Sequence, residues 1–267
     1  MEIAGYASAV IIGMVLGLMG GGGSILTVPV LVYLLSVDAL TATTYSLFIV
    51  GITSLTGGSR AYSKKNVDFK AVTEFGIPSI FSIFITRHYI LPAIPEKITR
   101  IGDLLITRDN LLMIIFATLM LIASTLMIMN NEEEKDSEAE ATDRNSRVLV
   151  LALWGLITGF ITGLLGAGGG FIIIPALVLF LKLKMKTAIG TSLIIISINS
   201  LFGFLFSLRD AHLDWKLLLI FTALSIVGIY IGGQLVEKID GKKLKKSFGW
   251  FVLIMGAYII VKEIFLK

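Results

Sequence analysis

Gly17-Leu18-Met19-Gly20-Gly21-Gly22-Gly23-Ser24-Ile25-Leu26-Thr27-Val28-Pro29 decides the fold, because the phrase returns as Gly163-Leu164-Leu165-Gly166-Ala167-Gly168-Gly169-Gly170-Phe171-Ile172-Ile173-Ile174-Pro175. Each copy interrupts an apolar run with glycines and then resumes it. In lipid an opened backbone is tolerated only where it faces protein or a water-filled cavity, so the phrase predicts a broken membrane helix in each copy. A helix restarting after such a break points its free backbone N–H groups and the positive end of its dipole into the gap, and two facing copies would hold one anion. The residues assigned to this site are Gly20, Gly22, Gly23 and Ser24 in the first copy and Gly166, Gly168, Gly169 and Gly170 in the second. Small residues can also serve only to let helices approach closely. Duplication at matched positions favours the site.

The rest of the chain has the composition such a site needs around it. Of 267 residues, 55% are hydrophobic and 16% charged, with a mean hydropathy of +0.89. Several uncharged runs exceed the roughly 18 residues that mark a spanning helix, and they extend from end to end, so an integral membrane protein without a cleaved leader is expected. The absence of cysteine excludes disulfides, thiolate metal sites and thiol catalysis. The formal charge of +4 reads as a topology signal of a membrane protein and not as a nucleic-acid footprint.

As one straight helix, residues 3–35 would run about 50 Å at about 1.5 Å per residue, beyond a hydrocarbon core of about 30 Å. Two short helices, 4–19 and 24–36, are the solution. A hydroxyl-rich span over 40–58, a polar loop over 59–70 and a span over 71–94 follow. In residues 96–110, Ile98, Ile101, Leu104 and Leu105 recur at helical spacing among charges, which predicts an amphipathic connector lying in the interface. A span over 111–129 completes the first half. Residues 130–147 carry a run of acidic residues and nothing apolar enough to pack, which reads as a solvated linker.

An offset of 146 lays the second half on the first without a gap from Gly13/Gly159 to Lys70/Lys216, with 21 identities in 58 pairs. Internal duplication of this kind is a common construction of secondary transporters. The second half then reads as short helices 148–166 and 170–183 and spans 187–207, 217–236 and 247–265, without the connector. If each broken pair enters and leaves on one side, each half crosses three times and the halves are inverted; 15 of the 23 lysines and arginines, Arg60, Lys64 and Lys186 among them, then share one face. The positive-inside rule makes that face cytoplasmic, although Arg87, Lys97, Arg100 and Arg108 fall on the other. The reading is an all-α polytopic membrane protein of two inverted repeats, each with a Gly-broken short-helix pair plus three spanning helices. Residues 1–129 form the first repeat, 130–147 an acidic cytoplasmic linker and 148–267 the second repeat.

The Gly-rich phrases and the residues after them resemble the sulfite exporter TauE/SafE family of membrane permeases. The resemblance rests on the doubled Gly-Leu-x-Gly-x-Gly-Gly-x-x-x-x-x-Pro pattern, on Thr-Ala-x-x-x-Ser-Leu in the next helix (Thr41–Leu47 and Thr187–Leu193) and on Asp-Phe/Trp-Lys at the following span. It implies export of sulfite or of small organosulfonates from the cell.

The ionisable groups picked out inside the spans are Glu74, near a start, and Arg87 with His88, near an end. A pump for Na⁺ or a divalent metal needs buried carboxylates or histidines, so no metal site and no cofactor is expected. His212 falls in a loop, where a hydrogen-bonding role suits it better than metal ligation. What the interior offers instead is glycine backbone together with Thr44, Ser46, Ser192 and the amide of Asn199. Donors without fixed charge suit a small oxyanion that must be released again. Each hydroxyl can alternatively bond to its own helix. Arg87 either snorkels to the interface or, with His88 and its counterpart Gln234, acts in gating.

The two functions left standing are a secondary transporter exporting a small anion, with protons as a candidate coupling ion, and a passive anion channel. A membrane-embedded enzyme is disfavoured, because the spans lack a Ser-His-Asp set, paired carboxylates and a metal cluster. The partners expected are the lipid bilayer and the anion, and no nucleic acid.

Overall fold

The computed structural model describes residues 2–21, 23–101, 104–129, 144–181, 183–208, 213–235 and 241–265. The first Gly phrase separates α1 (Glu2–Met19) from α2 (Ser24–Leu35), and the second separates α7 (Arg144–Leu165) from α8 (Gly170–Leu181). α3 (Ala39–Ser63) and α9 (Met185–Ser207) follow the broken pairs, and α4 (Phe69–Ile85) and α10 (Trp215–Leu235) follow those. α4 continues through a π-helical turn, Thr86–Ile90, into the single turn α5 (Leu91–Ala93). α6 (Arg108–Met129) and α11 (Gly241–Phe265) close the two halves. Among the described residues, five stretches are long and apolar enough to cross a membrane: Ala39–Ser63, Phe69–Ala93, Val148–Leu165, Met185–Ser207 and Trp215–Leu235.

Two segments depart from the sequence reading. Within residues 96–110, expected to be an amphipathic helical connector, β1 (Lys97–Ile101) pairs antiparallel with β2 (Leu104–Thr107), Lys97 facing Thr107 and Ile101 facing Leu104. α7 begins at Arg144, inside the stretch read as linker; residues 130–143 of that stretch lie outside the described residues.

Matched residues make matched bonds. The Asp68 carboxylate caps α4 by accepting from the amides of Lys70 (2.9 Å) and Ala71 (3.1 Å), and its equivalent Asp214 accepts from the Leu217 amide at the start of α10 (3.1 Å). Such caps satisfy amides that the first helical turn leaves without partners. The backbone amide of each aspartate is also bonded across to the other half. Asp68 donates to the Thr191 hydroxyl (2.9 Å) and Asp214 to the Tyr45 hydroxyl (2.6 Å), Tyr45 and Thr191 being counterparts under the offset of 146. One position is served by two different side chains.

The halves are interlaced. α1 packs on α10 and α7 on α4, with Gly13 set against the carbonyl of Ser225 and its counterpart Gly159 against the carbonyl of Ser79. The equivalent helices α3 and α9 pack on each other: Gly51 meets Leu201, Gly58 meets Ile194 and Gly203 meets Leu47, so they run antiparallel. α6 pairs with α11. The outer surface is as apolar as the core, and polar side chains lie among the buried ones. Ile77 (67% exposed), Phe81, Leu149 and Leu219 lie outside, whereas Thr27, Ser46, Thr53, Ser54, Asn199 and Ser200 are buried. An apolar belt around hydroxyl-bearing helix contacts is what a bilayer selects.

Candidate anion site at the helix breaks

Each break begins with a left-handed glycine, Gly20 at φ +59° and its counterpart Gly166 at φ +66°. A side chain is disfavoured there, and space is closed as well. A Cβ on Gly20 would stand 2.8 Å from the Ile189 backbone and 2.9 Å from the Ser192 hydroxyl. One on Gly166 would enter the backbone of Thr43, the counterpart of Ile189. Each break is therefore seated on the early turns of α3 or α9 of the opposite half.

The two phrases meet. A Cβ on Gly21 would lie 2.5 Å from the Cα of Gly170, and one on Gly170 would collide with the Cα of Gly21. Backbone touches backbone at this point. Gly23 rests on the Ile12 carbonyl of α1, as its equivalent Gly169 rests on Thr158 and Thr162 of α7. Gly22 lies outside the described residues. Several amides at the breaks are engaged locally: Gly20 donates to the Leu16 carbonyl (2.8 Å), Gly166 to that of Thr162 (2.9 Å) and Ser24 to that of Gly21 (3.2 Å). The Ser24 hydroxyl also donates to the Gly21 carbonyl (2.6 Å).

The buried polar side chains of α3 and α9 divide into engaged and open. The Ser192 hydroxyl reaches across to donate to the Gly20 carbonyl (2.6 Å), with the Ile189 carbonyl also in reach (2.8 Å). Asn199 accepts at Oδ1 from the Ser79 hydroxyl of α4 (2.6 Å), while its Nδ2 is buried without a partner. The hydroxyls of Ser46, Thr53, Ser54 and Ser200 are likewise buried and unpaired. Ser200 Oγ is 3.1 Å from where a Cβ on Gly168 would stand, so the unpaired hydroxyl borders the second break. The Thr44 hydroxyl instead turns toward Arg87.

Arg87 does not snorkel. It is 5% exposed, donating from Nη2 to the Thr43 hydroxyl (3.1 Å) and from Nη1 to the Thr44 hydroxyl (3.3 Å), with Nε unpaired. The π-helical turn that carries it inserts an extra residue into α4, a feature often found at functional sites. His88 is exposed and stacked on Phe84 (ring centroids 5.4 Å apart), and Gln234 is exposed on α10, so neither joins Arg87 inside.

The sequence reading missed three groups. Glu263, inside α11, is buried and accepts from the Tyr33 hydroxyl (2.9 Å), with the Lys262 ammonium 4.1 Å from the centre of the Tyr33 ring. Arg60 was legible only as a topology charge, although its guanidinium reaches between α3 and α10 to the Tyr230 carbonyl (3.4 Å). Ser79 gave no signal beyond being one more hydroxyl. His212 lies outside the described residues.

Comparison with known proteins agrees with this architecture. The family model described as "Sulfite exporter TauE/SafE" matches residues 6–259. A "Probable membrane transporter protein" of Xylella fastidiosa (strain 9a5c) is 27% identical over 97% of this chain and 94% of its own length. A counterpart with the same description in Methanocaldococcus jannaschii is 26% identical over 94% of each chain. YunE of Bacillus subtilis, described in the same words, is 26% identical over 97% of this chain and 99% of its own. No solved structure matches. The chain is a multi-pass membrane transporter, not an enzyme, and belongs to the sulfite exporter TauE/SafE family.

Proposed function

We propose that the protein is a secondary transporter that exports a small anion, sulfite or an organosulfonate, through a site between the two broken helices. The observation that carries this reading is the backbone contact of Gly21 with Gly170. It brings the starts of α2 and α8 together beside an unpaired buried donor, the Ser200 hydroxyl, with the unpaired Asn199 Nδ2 on the same helix α9. Each helix start contributes about half a positive charge, and among the described residues no carboxylate pairs with Arg87 near the second break to cancel it. The antiparallel run of the equivalent helices α3 and α9 supports inverted repeats, and so alternating access over an open pore. Protons are the proposed coupling ion.

Counterflow in proteoliposomes loaded in turn with sulfite, sulfate, sulfoacetate, taurine and acetate tests the reading. Saturable exchange of sulfite or sulfoacetate, accelerated by an imposed pH gradient, is expected. Conductive flux without exchange would instead identify a channel. Neutral analogues should inhibit at least about tenfold more weakly than their anionic partners, since each donor left unpaired costs about 1–3 kcal/mol. Equal inhibition by a sulfonate and its amide would overturn the anion assignment.

A further inference from the structure

Under the offset of 146 Arg87 falls on Gly233, which has no side chain to offer. The space above Gly233 is nevertheless filled by a guanidinium. Arg60, arriving from α3, places Nη1 3.3 Å from where a Cβ on Gly233 would stand. The counterpart of Arg60 is in turn Phe206, so the first half supplies both arginines and the second half repeats neither. We infer that Arg60 and Arg87, both supplied by the first half, are equivalent anion stations at matched positions, Arg87 beside the second break and Arg60 beside the first, which hold the oxyanion on either side of the contact between the breaks. This inference rests on the anion transport proposed above and extends it to the residues that carry fixed charge.

Surroundings of the two guanidiniums correspond as their positions do. Arg87 follows Thr86, which packs on Gly163 of the second Gly phrase, and bonds Thr43, on whose backbone Gly166 is seated. Arg60 lies beside Gly17 of the first phrase and Ile189, on which Gly20 is seated. The exchange of Tyr45 for Thr191 at the aspartate amides shows the same behaviour: the fold keeps a chemical group at a symmetric position and changes the residue that supplies it. A guanidinium recognises planar or tetrahedral oxyanions through paired N–H donors. Among the described residues neither arginine has a carboxylate partner.

The stations differ in access. Arg60 lines an open cavity of about 130 Å³ with Lys64, Asn66, Lys186, Gly17 and Gly233, and no carboxylate is in its lining. Arg87 is sealed, with its Nε unpaired in the interior. The cavity joins Lys64 with Lys186, two residues assigned to the cytoplasmic face by charge. This conformation therefore presents the Arg60 station to the cytoplasm and closes the Arg87 station, and alternation reverses the two. An anionic lipid headgroup has the same phosphate chemistry as a free oxyanion at Arg60, and the test must separate them.

Sulfite transport is measured in inside-out and right-side-out vesicles for Arg60→Gln, Arg87→Gln and the two lysine variants. Alongside, thermal stabilisation of purified protein by sulfite, sulfate and methanesulfonate is measured in detergent with added phosphatidylcholine or phosphatidylglycerol. Arg60→Gln should raise the KM for sulfite about tenfold at the cytoplasmic face and leave the outer KM within about twofold, Arg87→Gln should do the reverse, and lysine should restore part of each loss. Either glutamine variant should lose part of the stabilisation by anions while melting normally without them. Unchanged sided KM values in a protein that transports sulfite would overturn the stations and leave the transport reading intact. Anion stabilisation that depends on both arginines in a protein that moves none would do the opposite. Stabilisation seen only with phosphatidylglycerol, and insensitive to sulfite, would assign Arg60 to a lipid and overturn its station.

Discussion

A single methyl group distinguishes the glycines that shape the site from those that merely occupy a helix. Gly76 in α4 has nothing within 4 Å of its missing Cβ, so Gly76→Ala should leave transport intact and raise stability by about 0.5–1 kcal/mol through helix propensity, read as a higher melting temperature. Gly170→Ala has the Gly21 backbone in the way and should abolish counterflow with a lower melting temperature. Asn199→Ala separates binding from folding. Ser79 can turn to the Gly76 carbonyl, already 3.3 Å away, so melting should fall by only a few degrees, about 1 kcal/mol, while sulfite counterflow drops about tenfold or more. The glycines were legible because a doubled phrase cannot be accidental. Glu263 was not, because a carboxylate near the end of a span reads from sequence as a group reaching for water, and only the packing of α2 against it reveals the Tyr33 partner.

Elements were legible to within a few residues wherever hydrophobic period and caps agreed, as at Asp68 and Asp214. The connector failed for a physical reason. Ile98, Ile101, Leu104 and Leu105 satisfy a helical period only if Gly102-Asp103 is ignored, and that pair between two short β-branched or leucine-rich runs is itself a signal for a two-residue hairpin turn. The second half joins α10 to α11 through only residues 236–240. Replacing residues 96–107 by a five-residue Gly/Ser linker should therefore preserve both melting temperature and counterflow; loss of either would show that the hairpin has a role of its own. The π-helical turn was invisible to periodicity, since it displaces a pattern by one residue. Deleting Ile90 to restore a plain α-helix should rotate the chain after the turn by about 100° relative to α4 and remove the widened turn that holds Arg87 against Thr43 and Thr44, and sulfite counterflow should fall at least about tenfold, the loss expected when charged donors are removed from an anion.

For the whole molecule, the offset of 146 matches residues that make matched bonds but does not say which helix lies on which, because neighbours in space are set by three-dimensional closure and not by register. The inverted arrangement proposed above makes a labelling prediction that needs no substrate. In this cysteine-free chain, Lys64→Cys should resist an impermeant thiol reagent applied outside intact cells, and exposed His88→Cys should react with it. The interlacing of α1 with α10 also bears on how the chain is made. The Ser225 hydroxyl bonds the Ala9 carbonyl across 216 residues, so α1 finds its partner only after the whole stretch through α10 has been synthesised. Until then α1 and its glycine-opened end must be kept in the bilayer by lipid, by the insertion machinery or by a chaperone. Residues 1–129 produced alone should accordingly be degraded by membrane proteases, and co-production of 144–267 should rescue them. Biogenesis, as much as transport, depends on the second half arriving.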